Sequence, residues 1–153
     1  MRVVVQRVSR AAVRRVDVEP PEERRIGPGL LLLAGFRSTD DDAVVTWMAE
    51  KCLGLRIFDD ESGAMNRSVA DVGGSILAVP NFTLYADAQK GRRPSFIEAA
   101  LPEIASACFR AFAAALRRGP VPVETGFFQT SMHVELVNQG PVTIWLVREA
   151  DRP

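Results

Sequence analysis

Asn138-Gln139-Gly140-Pro141-Val142-Thr143 breaks a stretch that otherwise reads as β-strand. Before it, Met132, Val134 and Leu136 alternate with His133, Glu135 and Val137. After it, Val142 to Val147 is rich in β-branched and aromatic residues. Pro141 has no N–H to give to a ladder, and Gly140 has no side chain to pack. Regular pairing is therefore expected to stop here. One outcome is a β-turn or bulge joining two strands. The other is a bent backbone that aims carbonyl oxygens into a cavity, because glycine tolerates unusual φ/ψ and X-Pro bonds are cis in about 5–6% of cases.

Immediately before this region, Val121 to Thr125 reads as a strand, followed by Gly126-Phe127-Phe128. A helix is expected from Pro102, a good first helical residue, with Ile104, Cys108, Ala111/Phe112 and Ala115 as its apolar stripe. Arg117-Arg118-Gly119-Pro120 stops it. Lys90-Gly91-Arg92-Arg93-Pro94 is a short basic loop, either a solvated surface or a phosphate contact. Ser75 to Leu84 reads as a strand, with Pro80 at an edge or bulge and Asn81 and Thr83 on one side. Asp59-Asp60-Glu61-Ser62-Gly63 is a solvated turn that matches no Ca²⁺ loop. Leu55 to Phe58 is a short strand. A second helix follows the cap Thr39-Asp40-Asp41-Asp42, with Val44, Trp47, Met48, Cys52 and Leu55 at helical spacing. Leu30-Leu31-Leu32-Leu33-Ala34-Gly35-Phe36 is apolar on both faces, as a central strand requires. Arg2–Val8 and Val13–Val18 are further strands, and Glu19 to Arg25 is a polar hairpin turn. About seven or eight strands and two main helices make an α/β domain, with the helices packed on one face of a mixed sheet.

The chain has 153 residues, which suits a single domain spanning 1–153. Its formal net charge is zero, so any RNA contact must come from a local patch. Cys52 and Cys108 read as buried thiols rather than a disulfide framework. No signal-peptide pattern and no apolar run near the ~20 residues of a membrane helix is present, so a cytoplasmic protein is expected. The single histidine, His133, falls on the strand face opposite Met132 and Val134. That argues against histidine triads and histidine-rich zinc sites. Neither phosphate-loop nor dinucleotide fingerprints occur. Any catalysis must rest on backbone groups, on Thr83 and on the substrate, with no metal and no cofactor.

Several blocks in order resemble the D-aminoacyl-tRNA deacylase family over nearly the whole chain. They are Met1-Arg2-Val3-Val4-Val5-Gln6-Arg7-Val8, Leu55-Arg56-Ile57-Phe58, Met65-Asn66, Asp71-Val72-Gly73-Gly74, Phe82-Thr83-Leu84-Tyr85-Ala86-Asp87, Lys90-Gly91, Arg93-Pro94-Ser95-Phe96, Glu124-Thr125-Gly126, Phe128, Met132 and Asn138 to Thr143. The resemblance implies a homodimer that hydrolyses the ester between a D-amino acid, or glycine, and the tRNA 3′ end, as translation quality control. It implies that Gly140-Pro141 is cis and reaches the partner's pocket, where its carbonyls exclude an L side chain. Arg7 would orient that loop. Pro80, Met132 and Asn138 would line or support the pocket. The main chain of Asn81 and Phe82 and the side chain of Thr83 would flank the ester. Thr83 is expected to be a hydrogen-bonding group, with water as the nucleophile and the terminal 2′-OH assisting. Lys90, Arg92 and Arg93 would contact acceptor-end phosphates.

The chain departs from the family pattern at named places. Pro80-Asn81 stands where Ser-Gln is usual, Gln129-Thr130-Ser131 where Gly-Ala-Asp is usual, and Ala64 where lysine is usual. The first hairpin is slightly longer. A related class that clears L-alanine from threonine tRNA also carries proline at the position of Pro80. Shifted specificity, or a homologue that only binds RNA, are the alternatives that follow.

Overall fold

Leu30 to Leu33 forms the middle of the molecule because both of its faces find apolar partners. The computed structural model describes residues 1–149. Strand β3 (Gly29–Gly35) lies between β1 (Arg2–Arg15), antiparallel to it, and β6 (Ser75–Pro80), parallel to it. Strand β7 (Val123–Thr125) extends the sheet in parallel beyond β6. Strand β2 (Glu22–Ile26) pairs with the second half of β1, and β8 (Met132–Val147) pairs antiparallel along its whole other edge. Strands β4 (Phe58–Asp59) and β5 (Met65–Arg67) form a separate small ladder. The sheet is mixed, as expected.

Helices α1 (Asp42–Gly54) and α2 (Pro102–Arg117) cover one face. Val3, Val5, Leu30, Leu32, Ile76 and Ala78 meet Val44, Met48, Cys52, Phe109, Phe112 and Leu116 there. The opposite face carries a second cluster of Val8, Ala11, Val13, Leu31, Leu77, Val79 and Phe127. Period-two alternation thus sends Leu30 and Leu32 to one core and Leu31 to the other.

Five local expectations are corrected. β1 is continuous, because β8 pairs with it from Arg2 to Arg15. Glu22 to Arg25 is strand and not turn, since these residues pair with Val13, Arg14, Arg15 and Ala12. The strand from Ser75 ends at Pro80, and Phe82–Tyr85 is a 3-10 turn capped by Asn81. The buried stripe of α2 is Ala105, Phe109, Phe112, Ala113, Ala115 and Leu116, which leaves Ile104 37% exposed. The stripe rotates because Phe109 and Phe112 both meet Phe36 edge-on, at 6.3 and 6.5 Å between centroids. In the Leu55–Phe58 segment only Phe58 is in a strand.

Candidate active site

The break at Gly140-Pro141 is a bulge built on one arginine. In the β1–β8 register Gln6 faces Thr143 and Val8 faces Asn138, so Arg7 alone stands opposite Gln139, Gly140, Pro141 and Val142. The extra residues must leave the ladder. The Gly140-Pro141 peptide is cis, and Gly140 has φ +138°. Arg7 is buried to 7% exposure beneath them. Its Nε donates to Gln139 O (2.8 Å), and its Nη1 donates to Ile57 O (2.8 Å) and to Asp59 Oδ1 (3.0 Å). A Cβ on Gly140 would meet Arg7 Nη2 at 3.1 Å and Val142 Cγ2 at 2.7 Å. Only glycine allows that approach. Asn138 closes the base of the bulge: its Oδ1 accepts from Val142 N (2.7 Å), and its Nδ2 donates to Val142 O (3.1 Å) and Thr143 Oγ1 (3.0 Å). Gly140 and Pro141 themselves are exposed.

A second site opens on the sheet face away from the helices and runs round to the N-terminal end of α2 at Leu101, Pro102 and Ala105. It is a cavity of about 1010 Å³ with an apolar floor of Leu31, Leu33 and Val79. Pro80, Asn81 and Phe82 form one side, and Phe127 to Met132 another. Parallel pairing stops where β6 reaches Pro80, and Asn81 N then donates to Ala34 O (2.7 Å). The chain turns into the 3-10 helix. Asn81 Oδ1 accepts from Thr83 N (3.2 Å) and from Thr83 Oγ1 (2.5 Å). Asn81 and Thr83 are therefore joined by a turn rather than aligned along a strand. Thr83 gives its hydroxyl proton to an amide oxygen that is no general base, and its lone pairs stay free to accept. The Phe82 N–H has no hydrogen-bond acceptor among the described residues and remains a donor. Phe82 (57% exposed) and Phe96 (38% exposed) stack edge-on at the rim, 5.1 Å between centroids.

Pro80, Asn81, Phe82 and Met132 line this cavity together. Thr83 reaches it only through Asn81. Arg7, Asn138, Gly140 and Pro141 form their own cluster and do not line it. Lys90, Arg92 and Arg93 are exposed on a loop whose base is the Asp87–Ser95 bridge, and Phe96 follows directly. His133 is exposed. Among the described residues no group of His, Cys, Asp and Glu is arranged to hold a metal ion, and no helix is long and apolar enough to cross a membrane.

The sequence profile of the D-Tyr-tRNA(Tyr) deacylase family matches residues 4–147, which takes in both clusters. The chain belongs to this family. A D-aminoacyl-tRNA deacylase of Thermomicrobium roseum is 58% identical over 146 residues, 95% of this chain and 93% of the relative. One from Symbiobacterium thermophilum is 52% identical over 149 residues, 97% of each chain. A solved structure titled "c-Myc DNA Unwinding Element Binding Protein" superposes with a TM-score of 0.89 at 38% identity, covering 98% of this chain and all of that one. A probable eukaryotic D-amino acid tRNA deacylase shares the fold at a TM-score of 0.80 and 19% identity.

Sequence reasoning missed two sets of residues in this deacylase-family chain. Asp59 read as part of a solvated turn, yet it takes one of the Arg7 donors. The cavity wall after Phe128 was legible only as a departure from the pattern. Gln129 has φ +53°, a left-handed conformation in which glycine carries no penalty and glutamine does. Beside it, Asp17 Oδ1 accepts from Arg15 Nε (2.9 Å) and from the Thr130 hydroxyl. The Thr130 hydrogen bond, then Arg15, hold the exposed Asp17 carboxyl below its usual pKa.

Proposed function

We propose that the chain hydrolyses the ester between a D-amino acid, or glycine, and the 3′ end of tRNA, as a homodimer in which Gly140-Pro141 of one copy closes the cavity of the other. As a member of the family it is a hydrolase of the aminoacyl-tRNA ester; the filter and its dimeric assembly are the finer reading. One observation carries that finer reading. The Gly140-Pro141 bulge is rigidly held by Arg7 and Asn138, yet it is exposed and does not line its own chain's cavity. A loop so firmly held and so exposed has a use only if something docks against it. The same strand, β8, exposes Leu136, Val137, Trp145 and Val147 at 36 to 50%, an apolar edge suited to a second copy.

The chemistry follows from the 3-10 turn. The Phe82 N–H is a donor for the oxyanion that develops on the ester carbonyl. Thr83 Oγ accepts a hydrogen bond from the attacking water or from the substrate amino group. Water adds to the carbonyl carbon, the bond to the ribose 3′-oxygen breaks, and the departing oxygen takes a proton with the terminal 2′-OH assisting. The products are a free amino acid and uncharged tRNA. Fixed carbonyls of Gly140 and Pro141 occupy the space an L side chain needs, so selectivity is steric rejection rather than added affinity. Lys90, Arg92 and Arg93 supply sequence-independent phosphate contacts.

The test is a deacylation panel at one enzyme concentration, with D-tyrosyl-tRNA, L-tyrosyl-tRNA, glycyl-tRNA and L-alanyl-tRNA on threonine tRNA. Loss of the D and glycyl esters with both L esters spared is the expected result. Cleavage of the L-alanyl ester would assign Pro80-Asn81 and Gln129 to a relaxed specificity. Survival of every ester would overturn the proposal and leave a binding-only homologue.

A further inference from the structure

Arg24 sits where the strand pattern calls for a core residue. In β2, Glu23 and Arg25 are exposed, whereas Arg24 and Ile26 turn inward on the face of Val8, Ala11 and Val13. Among the described residues this inward arginine has no carboxylate partner. Its Nη1 instead crosses to Thr125, donating to the carbonyl (2.6 Å) and to Oγ1 (2.9 Å), and its guanidinium lies 4.4 Å from the Phe127 ring centroid. Thr125 is buried, and Phe127 is the first residue of the cavity wall.

That wall has little support of its own. Residues 127–131 belong to no strand. Gly126 N donates to Ala78 O, Phe127 N to Met132 Sδ, and Ser131 O accepts from Val16 N (3.1 Å). Between these points the segment is held from the same hairpin by a second tie. Thr130 Oγ1 donates to Asp17 Oδ1 and accepts from Arg15 Nε (3.2 Å). The strained Gln129 lies between the two ties. The lengthened hairpin and the altered wall, separate departures along the chain, thus touch in space.

We infer that the β1–β2 hairpin is a two-point clamp whose positioning residues, Arg24 and the Asp17–Thr130 pair, fix the Phe127–Ser131 wall and so set the affinity for substrate. The inference rests on the proposed deacylase reading. The clamp touches the wall and not the Asn81–Thr83 turn, so its loss acts on binding rather than on the chemical step.

Arg24→Met removes both donors and the cation while keeping an apolar filler, and Thr130→Val removes the hydroxyl at constant shape. Each is expected to raise KM for D-tyrosyl-tRNA about five- to tenfold with kcat within about twofold. Thr130→Ser should restore the wild-type KM. Hydrogen exchange of the Phe127 amide, the hydrogen-bonded N–H of the wall, should accelerate about tenfold or more in Arg24→Met, with β3 and β6 amides unchanged. Unchanged wall exchange and KM would overturn the clamp. So would a fall in kcat at constant KM, or a general loss of protection across the sheet. Exchange needs no substrate, so an unaltered protein that cleaves no ester would sink the deacylase reading, while the exchange data still decide whether the hairpin holds the wall.

Discussion

Arg7 carries the Gly140-Pro141 bulge on one guanidinium, and no other side chain type reproduces its fork. Lysine has the charge but cannot serve Gln139 O, Ile57 O and Asp59 together from one fixed plane. Arg7→Lys is expected to lower kcat/KM for a D-aminoacyl ester about 100-fold, the scale of a small misplacement of a positioning group. It should also lower stability by about 2 kcal/mol, since the buried Ile57 carbonyl loses its donor. Urea melts beside the kinetics check both. Gln129→Gly should raise stability by about 0.5–1 kcal/mol, because relief of the left-handed strain exceeds the added unfolded-state entropy. Asp17 has a depressed folded pKa, so its contribution is present above the unfolded value of 3.8 and is lost as pH falls through the folded one. An NMR titration of its carboxyl should give a midpoint below 3.8, and Thr130→Val should move it upward.

The parallel pair β3–β6 depends on a close approach at its start. A Cβ on Gly29 would lie 1.8 Å from Ser75 O, in the backbone of the neighbouring strand. Gly29→Ala is therefore expected to cost about 3 kcal/mol or more, or to abolish folding, as read by thermal unfolding. Helix α1 hides Cys52 completely, and burial pushes its thiol to about 12. Cys52 should resist alkylation at pH 8 in the folded protein and react only in denaturant, as mass spectrometry would record. Most of these elements were legible. The leucine run read as a central strand because it is apolar on both faces, and Pro102 marked the start of α2. The 3-10 turn at Phe82 was not legible, because Phe-Thr-Leu-Tyr has strong strand propensity. What turns it is the Asn81 cap and the end of pairing at Pro80.

At the scale of the molecule, zero net charge leaves RNA binding to local patches. The exposed loop carrying Lys90, Arg92 and Arg93 is the expected source of salt dependence. Replacing all three by alanine should reduce the slope of log K against log salt by about 2 for the single-stranded tRNA end. The apolar edge of β8 should be covered in solution. Trp145→Glu is expected to shift the protein from dimer to monomer in light scattering and to abolish deacylation, because the cavity then lacks its partner's bulge. A monomer that keeps full D-specific activity would remove the trans arrangement.

Residue types and local spacing determined the central strand, the helix ends and the special backbone at Gly140-Pro141, since propensity, alternation and the chemistry of glycine and proline act over a few residues. They also flagged Arg7, Asn81 and Thr83 by their place in ordered motifs. Tertiary structure alone decided that Asp59 would take a donor of Arg7, that the inward Arg24 would hold Thr125, and that Asp17 would meet Thr130. Each of these pairs is far apart in sequence. Their contact is set by strand register and by which faces the two cores bury, quantities that depend on the whole chain at once.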